Sequence, residues 1–127
     1  MNLKQLLFLK AASPAAETNL LDYTDLVNKN YGGDPSNYNV RTEGVNAVEA
    51  GKKLRLTGPK VTEVNIRFYD ESKTYQSTHT ISKYAEDTES FDFIVPEGCA
   101  YIRPKWNKSS GLTVEEFIAS KPVIKYT

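Results

Sequence analysis

The 127-residue sequence predicts an all-β protein: an antiparallel, jelly-roll-like β-sandwich with a short N-terminal helix and one short helix in the C-terminal half. Three observations lead there. Apolar and polar residues alternate with period two in several runs beyond Val40. Turn-forming residues separate those runs at intervals of about 8–12 residues, the spacing of sandwiches and barrels. Helical signals longer than a single turn are confined to the N-terminus and to one capped segment near residue 113.

Taken in order, Leu3, Leu6 and Leu7 fall at i, i+3 and i+4 and share one face of a short amphipathic helix, which Pro14 ends. The apolar run of residues 6–9 is shorter than the about 7–15 residues of a secretory signal, and Lys10 interrupts it. Residues 1–18 therefore read as a docking or oligomerisation arm with its linker, and residues 19–127 as the sandwich domain. Packing of the arm on its own domain is the equal alternative. Residues 19–39 are rich in Asn, Asp and Tyr around the turn Gly32-Gly33-Asp34-Pro35, and read as loop with short extended pieces and a helical turn at Tyr23-Thr24-Asp25.

Leu54 and Leu56 alternate with Lys53 and Arg55, and Gly58-Pro59 ends that strand. Val64, Ile66 and Phe68 alternate with Asn65, Arg67 and Tyr69 before the turn at Asp70-Glu71-Ser72-Lys73. Phe91, Phe93 and Val95 form a third alternating run, closed by Pro96-Glu97-Gly98. A fourth puts Ile102 inward and Tyr101 and Arg103 outward, with Pro104 marking an edge strand or bulge. Thr113 and Glu116 have the spacing of a capping box, with Leu112 and Phe117 placed as its hydrophobic staple. Pro122 stops that helix, and Val123-Ile124-Lys125-Tyr126 is the last strand.

Composition narrows the function. Sixteen basic side chains balance sixteen acidic ones, and no cationic run stands out along the sequence, which speaks against nucleic-acid binding. No stretch approaches the about 18–20 apolar residues of a membrane span. One cysteine, Cys99, excludes an internal disulfide framework and a cysteine-rich zinc site, and its setting is that of a small core residue. His79, the one histidine, lies in the polar run Ser77-Thr78-His79-Thr80 without a second ligand at metal spacing. Nucleophile-elbow, phosphate-loop, zinc-protease and dinucleotide motifs are absent. The carboxylate groups Glu86, Asp87 and Glu89, and Glu115 with Glu116, read as a polar loop and a helix first turn rather than a glycosidase pair. The expectation is no catalysis, no cofactor and no metal.

The aromatics are more informative. Tyr69, Tyr75, Tyr84, Tyr101 and Trp106 lie in or beside the expected strands, and flat rings with a polar tip suit sugar faces or protein interfaces. Arg67 and Arg103 add planar donors. Cross-strand aromatic pairs that merely stabilise a sheet are the competing explanation. The candidate ligand or partner face comprises Tyr69, Tyr101, Arg103 and Trp106.

The order of the run VNAVEAGKKLRLTG over residues 45–58, Ile66-Arg67-Phe68-Tyr69-Asp70 with Lys73 and Tyr75, FDFIVPEG over 91–98 and AYIRP over 100–104 resembles the carbohydrate-binding-like jelly-roll modules of bacteriophage and prophage tail, baseplate and fibre proteins. The later GLTVEEF over 111–117 with Lys121-Pro122-Val123 is similar to the helix-then-strand segment that follows in those proteins. The likeness spans about residues 40–127. It implies a non-enzymatic virion structural protein, an accessory or decoration subunit located in the virion and assembled in the host cytoplasm. Its implied partners are other virion proteins and copies of itself, a trimer being the natural guess, with a host-surface glycan as a further candidate ligand. A bacterial surface or secreted glycan-binding module is the alternative.

Overall fold

Nine strands, a 3-10 turn and one α-helix occur among the residues that the computed structural model describes, 18–82 and 90–127. The expected arm with Leu3, Leu6 and Leu7 lies outside the described residues, as do Tyr84 and the Glu86, Asp87 and Glu89 group. The strands are β1 (Leu26–Val27), β2 (Asn39–Thr42), β3 (Asn46–Ala47), β4 (Lys53–Thr57), β5 (Glu63–Tyr69), β6 (Tyr75–Ser82), β7 (Ser90–Ile94), β8 (Tyr101–Asn107) and β9 (Val123–Tyr126). The helix, α1 (Val114–Ala119), joins β8 to β9.

Strand alternation sorts the side chains into two antiparallel sheets that bury their apolar faces. The larger sheet runs β1-β2-β8-β5-β6, with β3 also pairing with β8, and the smaller runs β7-β4-β9. In β5, Val64, Ile66 and Phe68 register opposite Trp106, Pro104 and Ile102 of β8, and all six side chains belong to the buried face. From the smaller sheet, Leu54, Leu56, Phe93 and Ile124 meet them. Each aliphatic side chain fully withdrawn from water contributes about 1.5–3 kcal/mol, so this inter-sheet layer holds the fold. The all-β sandwich expected from the sequence is therefore the observed architecture.

Pro104 departs from expectation. It sits in β8, a central strand, not on an edge or bulge. Register supplies the reason: β2 pairs with β8 as far as Arg41 opposite Lys105, and β3 resumes at Asn46 opposite Ile102. The chain between them leaves the ladder beside Arg103 and Pro104, and a residue without an N–H is tolerated at such a break.

The helix begins where the sequence says it should. Thr113 Oγ1 accepts from the Glu116 N–H at 3.0 Å and donates to Glu116 Oε1 at 3.2 Å, so Glu116 answers through the cap hydroxyl rather than the cap N–H. Leu112 and Phe117 are both buried in the core, and Phe117 meets Trp106 with ring centres 4.4 Å apart. Thr113→Ala should lower stability by about 1 kcal/mol, read as a reduced urea midpoint with unchanged slope; an unchanged midpoint would show that the cap is dispensable.

Candidate ligand-binding face

The outer face of the larger sheet gathers what the inner face excludes. With Val64, Ile66 and Phe68 turned inward, Asn65, Arg67 and Tyr69 of β5 project outward, opposite Lys105, Arg103 and Tyr101 of β8. Arg41 of β2 registers opposite Lys105 on its other side. Tyr75 enters from β6, where a register shift beside Tyr69 marks the hairpin end. The result is a layer of cations and phenol rings on rigid strands.

A loop segment completes it. Tyr31, between β1 and β2, folds over the sheet, and its hydroxyl donates to the Arg103 carbonyl at 2.5 Å, with the Asn65 carbonyl at 3.0 Å. The Arg67 guanidinium lies over the Tyr31 ring at 3.9 Å and near the Tyr75 ring at 5.3 Å. Lys105 shares the Tyr31 ring at 4.9 Å, and Arg103 sits 5.6 Å from the Tyr69 ring. Burial, with Tyr69 adding to it, drives the Tyr31 hydroxyl far above its ordinary range, so it stays a neutral donor. Burial also pulls the Lys105 ammonium below its usual range; Glu63 opposes this, while Arg67 and Arg41 reinforce it.

The cations divide by what they bind. Arg41 is buried and structural: its Nε donates to the Asn30 carbonyl at 2.9 Å and its Nη1 to that of Thr42 at 2.8 Å, and it pairs with Glu43 at 3.7 Å. Arg103 donates through Nε to the Gly44 carbonyl at 3.3 Å. Among the described residues, no carboxylate comes within ion-pair distance of Arg67, Arg103 or Lys105: the ion pairs found join Lys29 and Arg41 to Glu43, and Lys53 and Arg55 to Asp92.

Three of the four residues expected on a ligand face are thus brought together. Tyr101 and Arg103 are half-buried and reachable there, whereas Tyr69 is only 7% exposed, packed beside Tyr75 with ring centres 6.2 Å apart, and forms the floor rather than a platform. Trp106 is not on this face. It is fully buried in the inter-sheet core against Phe117, because it shares the inward parity of Ile102. Sequence reasoning also missed Lys105, Arg41 and Tyr31, and it saw no cationic cluster where the register makes one. Lys105 had a usable signal, the same outward parity as Tyr101 and Arg103.

Elsewhere, an open cleft of about 590 Å³ lies between the β6 and β7 edges, with Phe68 and Phe93 in its wall and His79 and Asp92 at its sides. Asp92 is engaged by Arg55 in a two-pronged pair at 2.8 and 3.1 Å, which holds its carboxyl below the usual carboxylate range. Cys99 is buried, its thiol pushed up by burial and donating to the Tyr101 carbonyl at 3.2 Å. Among the described residues no three His, Cys, Asp or Glu side chains gather to hold a metal ion, and no helix is long and apolar enough to cross a membrane.

Comparison with protein-family models and with curated proteins returned no match. Among solved structures, a chain of the Glycosylation Associate Protein complex from Streptococcus agalactiae is similar at 18% identity with a TM-score of 0.37. That likeness covers 90% of this chain and 33% of the other, so this chain spans about a third of the solved chain it matches.

Proposed function

We propose that the chain is a non-enzymatic binding module, a carbohydrate-binding-like β-sandwich that serves as an accessory structural subunit of a bacteriophage particle and engages its ligand through the outer face of the larger sheet. The observation that carries the binding role is the grouping of Tyr101, Arg103, Arg67 and Lys105 on adjacent strands, where the antiparallel ladder fixes the backbone positions from which they project before any ligand arrives. A preformed face of this kind loses little entropy on binding. The order of sequence motifs over residues 40–127 supports the virion setting, in which other virion proteins and further copies of the chain are the partners.

The second reading, a bacterial surface or secreted glycan-binding module, is favoured by the same tyrosine and arginine face standing without the virion. One experiment separates the two. Virions purified from the strain that encodes the chain are analysed by mass spectrometry, and the purified protein and its Tyr101→Ala variant are applied to a glycan array. Recovery in the virion band at stoichiometric level is the expected result. Glycan binding lost in the variant, with the chain absent from virions, selects the second reading, and neither signal overturns both.

A further inference from the structure

We infer that the outer face of the larger sheet is a site for an acidic saccharide, whose carboxylate or sulfate group is held by Arg67 and Arg103 with Lys105 beside them. This rests on the binding role proposed above and adds the charge class of the ligand.

Register is the first ground. Arg67 and Arg103 are directly opposed on β5 and β8, and Lys105 is the next outward residue along β8, itself opposed by Arg41. Like charges placed directly opposite on neighbouring strands destabilise a sheet, and side chains at diagonal positions are still within reach of one another. Among the described residues no carboxylate lies within ion-pair distance of Arg67, Arg103 or Lys105, and Glu63 acts on Lys105 from beyond that distance, so the repulsion between the two opposed guanidinium groups is left without a paired carboxylate. A bound anion would remove that repulsion.

Guanidinium geometry is the second. A ring stacked on a guanidinium covers its flat face, while the N–H donors radiate in its plane. Tyr31 at 3.9 Å thus orients the Arg67 fork without consuming its donors, and among the described residues Arg103 gives up only Nε. Two half-buried forks with in-plane donors to spare suit a carboxylate or sulfate, which accepts two parallel bonds. Tyr101, half-buried on the same strand with Lys73 5.4 Å over its ring, supplies a phenol beside the cations for the sugar to which the anion is attached.

The limits of the patch favour a saccharide over nucleic acid. Glu63 shares the outward parity of Arg67 at the start of β5, and Glu43 pairs with the neighbouring Arg41. Carboxylates at these ends cut short any track for a repeating phosphate backbone, which draws on a longer cationic surface.

Isothermal titration of the full chain tests the assignment with four probes: an oligogalacturonate, a heparin-derived tetrasaccharide, a neutral galacto-oligosaccharide and a single-stranded oligonucleotide. An acidic saccharide should bind and the neutral one should not. Affinity should weaken with added NaCl, and Arg67→Gln and Arg103→Gln should each reduce it by about tenfold or more. Arg67→Lys, which keeps the charge but loses the planar fork, should fall between wild type and Arg67→Gln. Thermal melts of each variant within a few degrees of wild type exclude unfolding as the cause. Equal binding of the neutral saccharide, lost in Tyr101→Ala, overturns the acidic class while leaving the binding role intact. Tighter binding of the oligonucleotide, or acidic binding indifferent to both Gln variants, overturns the proposal. Absence of binding to all four overturns it here, while recovery of the chain in virions would still uphold the structural role.

Discussion

Trp106→Ala should lower stability by about 3–5 kcal/mol, with a fall in urea midpoint large enough to leave part of the protein unfolded in buffer. The side chain is fully buried and its ring centre lies 4.4 Å from that of Phe117, so truncation removes the contact between the larger sheet and α1 and opens a cavity between the sheets. Trp106→Phe should recover most of the loss. The substitution keeps a ring against Phe117 and removes the indole N–H, which is buried without an acceptor among the described residues. A double-mutant cycle of Trp106→Ala with Phe117→Ala should return a coupling of about 0.5–1.5 kcal/mol beyond simple burial. If Trp106→Ala instead left the urea midpoint unchanged and abolished ligand binding, the placement of this residue in the core would be wrong. Any apparent loss of binding in this variant should follow the unfolded fraction and disappear in stabilising osmolyte.

Trp106 also shows which part of the fold a sequence reader can reach. Alternation made β4, β5 and β7 legible, because one buried face forces period two on residues such as Leu54 and Leu56, or Val64, Ile66 and Phe68. The same parity, carried from Ile102 to Trp106, points the indole inward, and carried from Tyr101 through Arg103 to Lys105 it points the ammonium outward. Weighing the chemistry of an aromatic ring above its position in the alternation is what misplaced Trp106. Register between distant strands was beyond reach: nothing local announces that Arg41 lies opposite Lys105, or that β8 stands at the centre of the sheet with Pro104 at a break in its neighbour. The covering of the outer face by Tyr31 was equally hidden, because a turn-rich segment has no periodicity and its path is set by hydrogen bonds to Asn65 and Arg103 far along the chain.

The same kind of long-range bond underlies the second large effect. Asn28→Ala should cost about 2–3 kcal/mol, although the residue lies in a polar segment where the sequence alone suggests tolerance. Its Nδ2 donates to the Asn39 carbonyl at 3.0 Å and to the Leu112 carbonyl at 2.7 Å, while its Oδ1 accepts from the Val114 N–H at 3.1 Å. One amide thus ties β2, the approach to α1 and the first residue of that helix together, and truncation leaves three partly buried backbone groups to find water. Asn28→Asp separates the donor and acceptor roles. An ionised carboxylate can still accept from Val114, but it sets oxygen against the two carbonyls, so this variant should be no better than Ala at pH 7. Those carbonyls favour the protonated acid and raise its folded-state pKa above the ordinary value of about 3.9. Stability contributed by a raised pKa is present below the unfolded value and lost as pH rises through the folded one, so Asn28→Asp should recover part of its deficit near pH 3–4, where the acid O–H can donate to one of the two carbonyls, and fall away above it. Urea midpoints of the two variants against wild type across that range check the prediction. A deficit in Asn28→Asp independent of pH would mean that the donors are not what holds the three segments together.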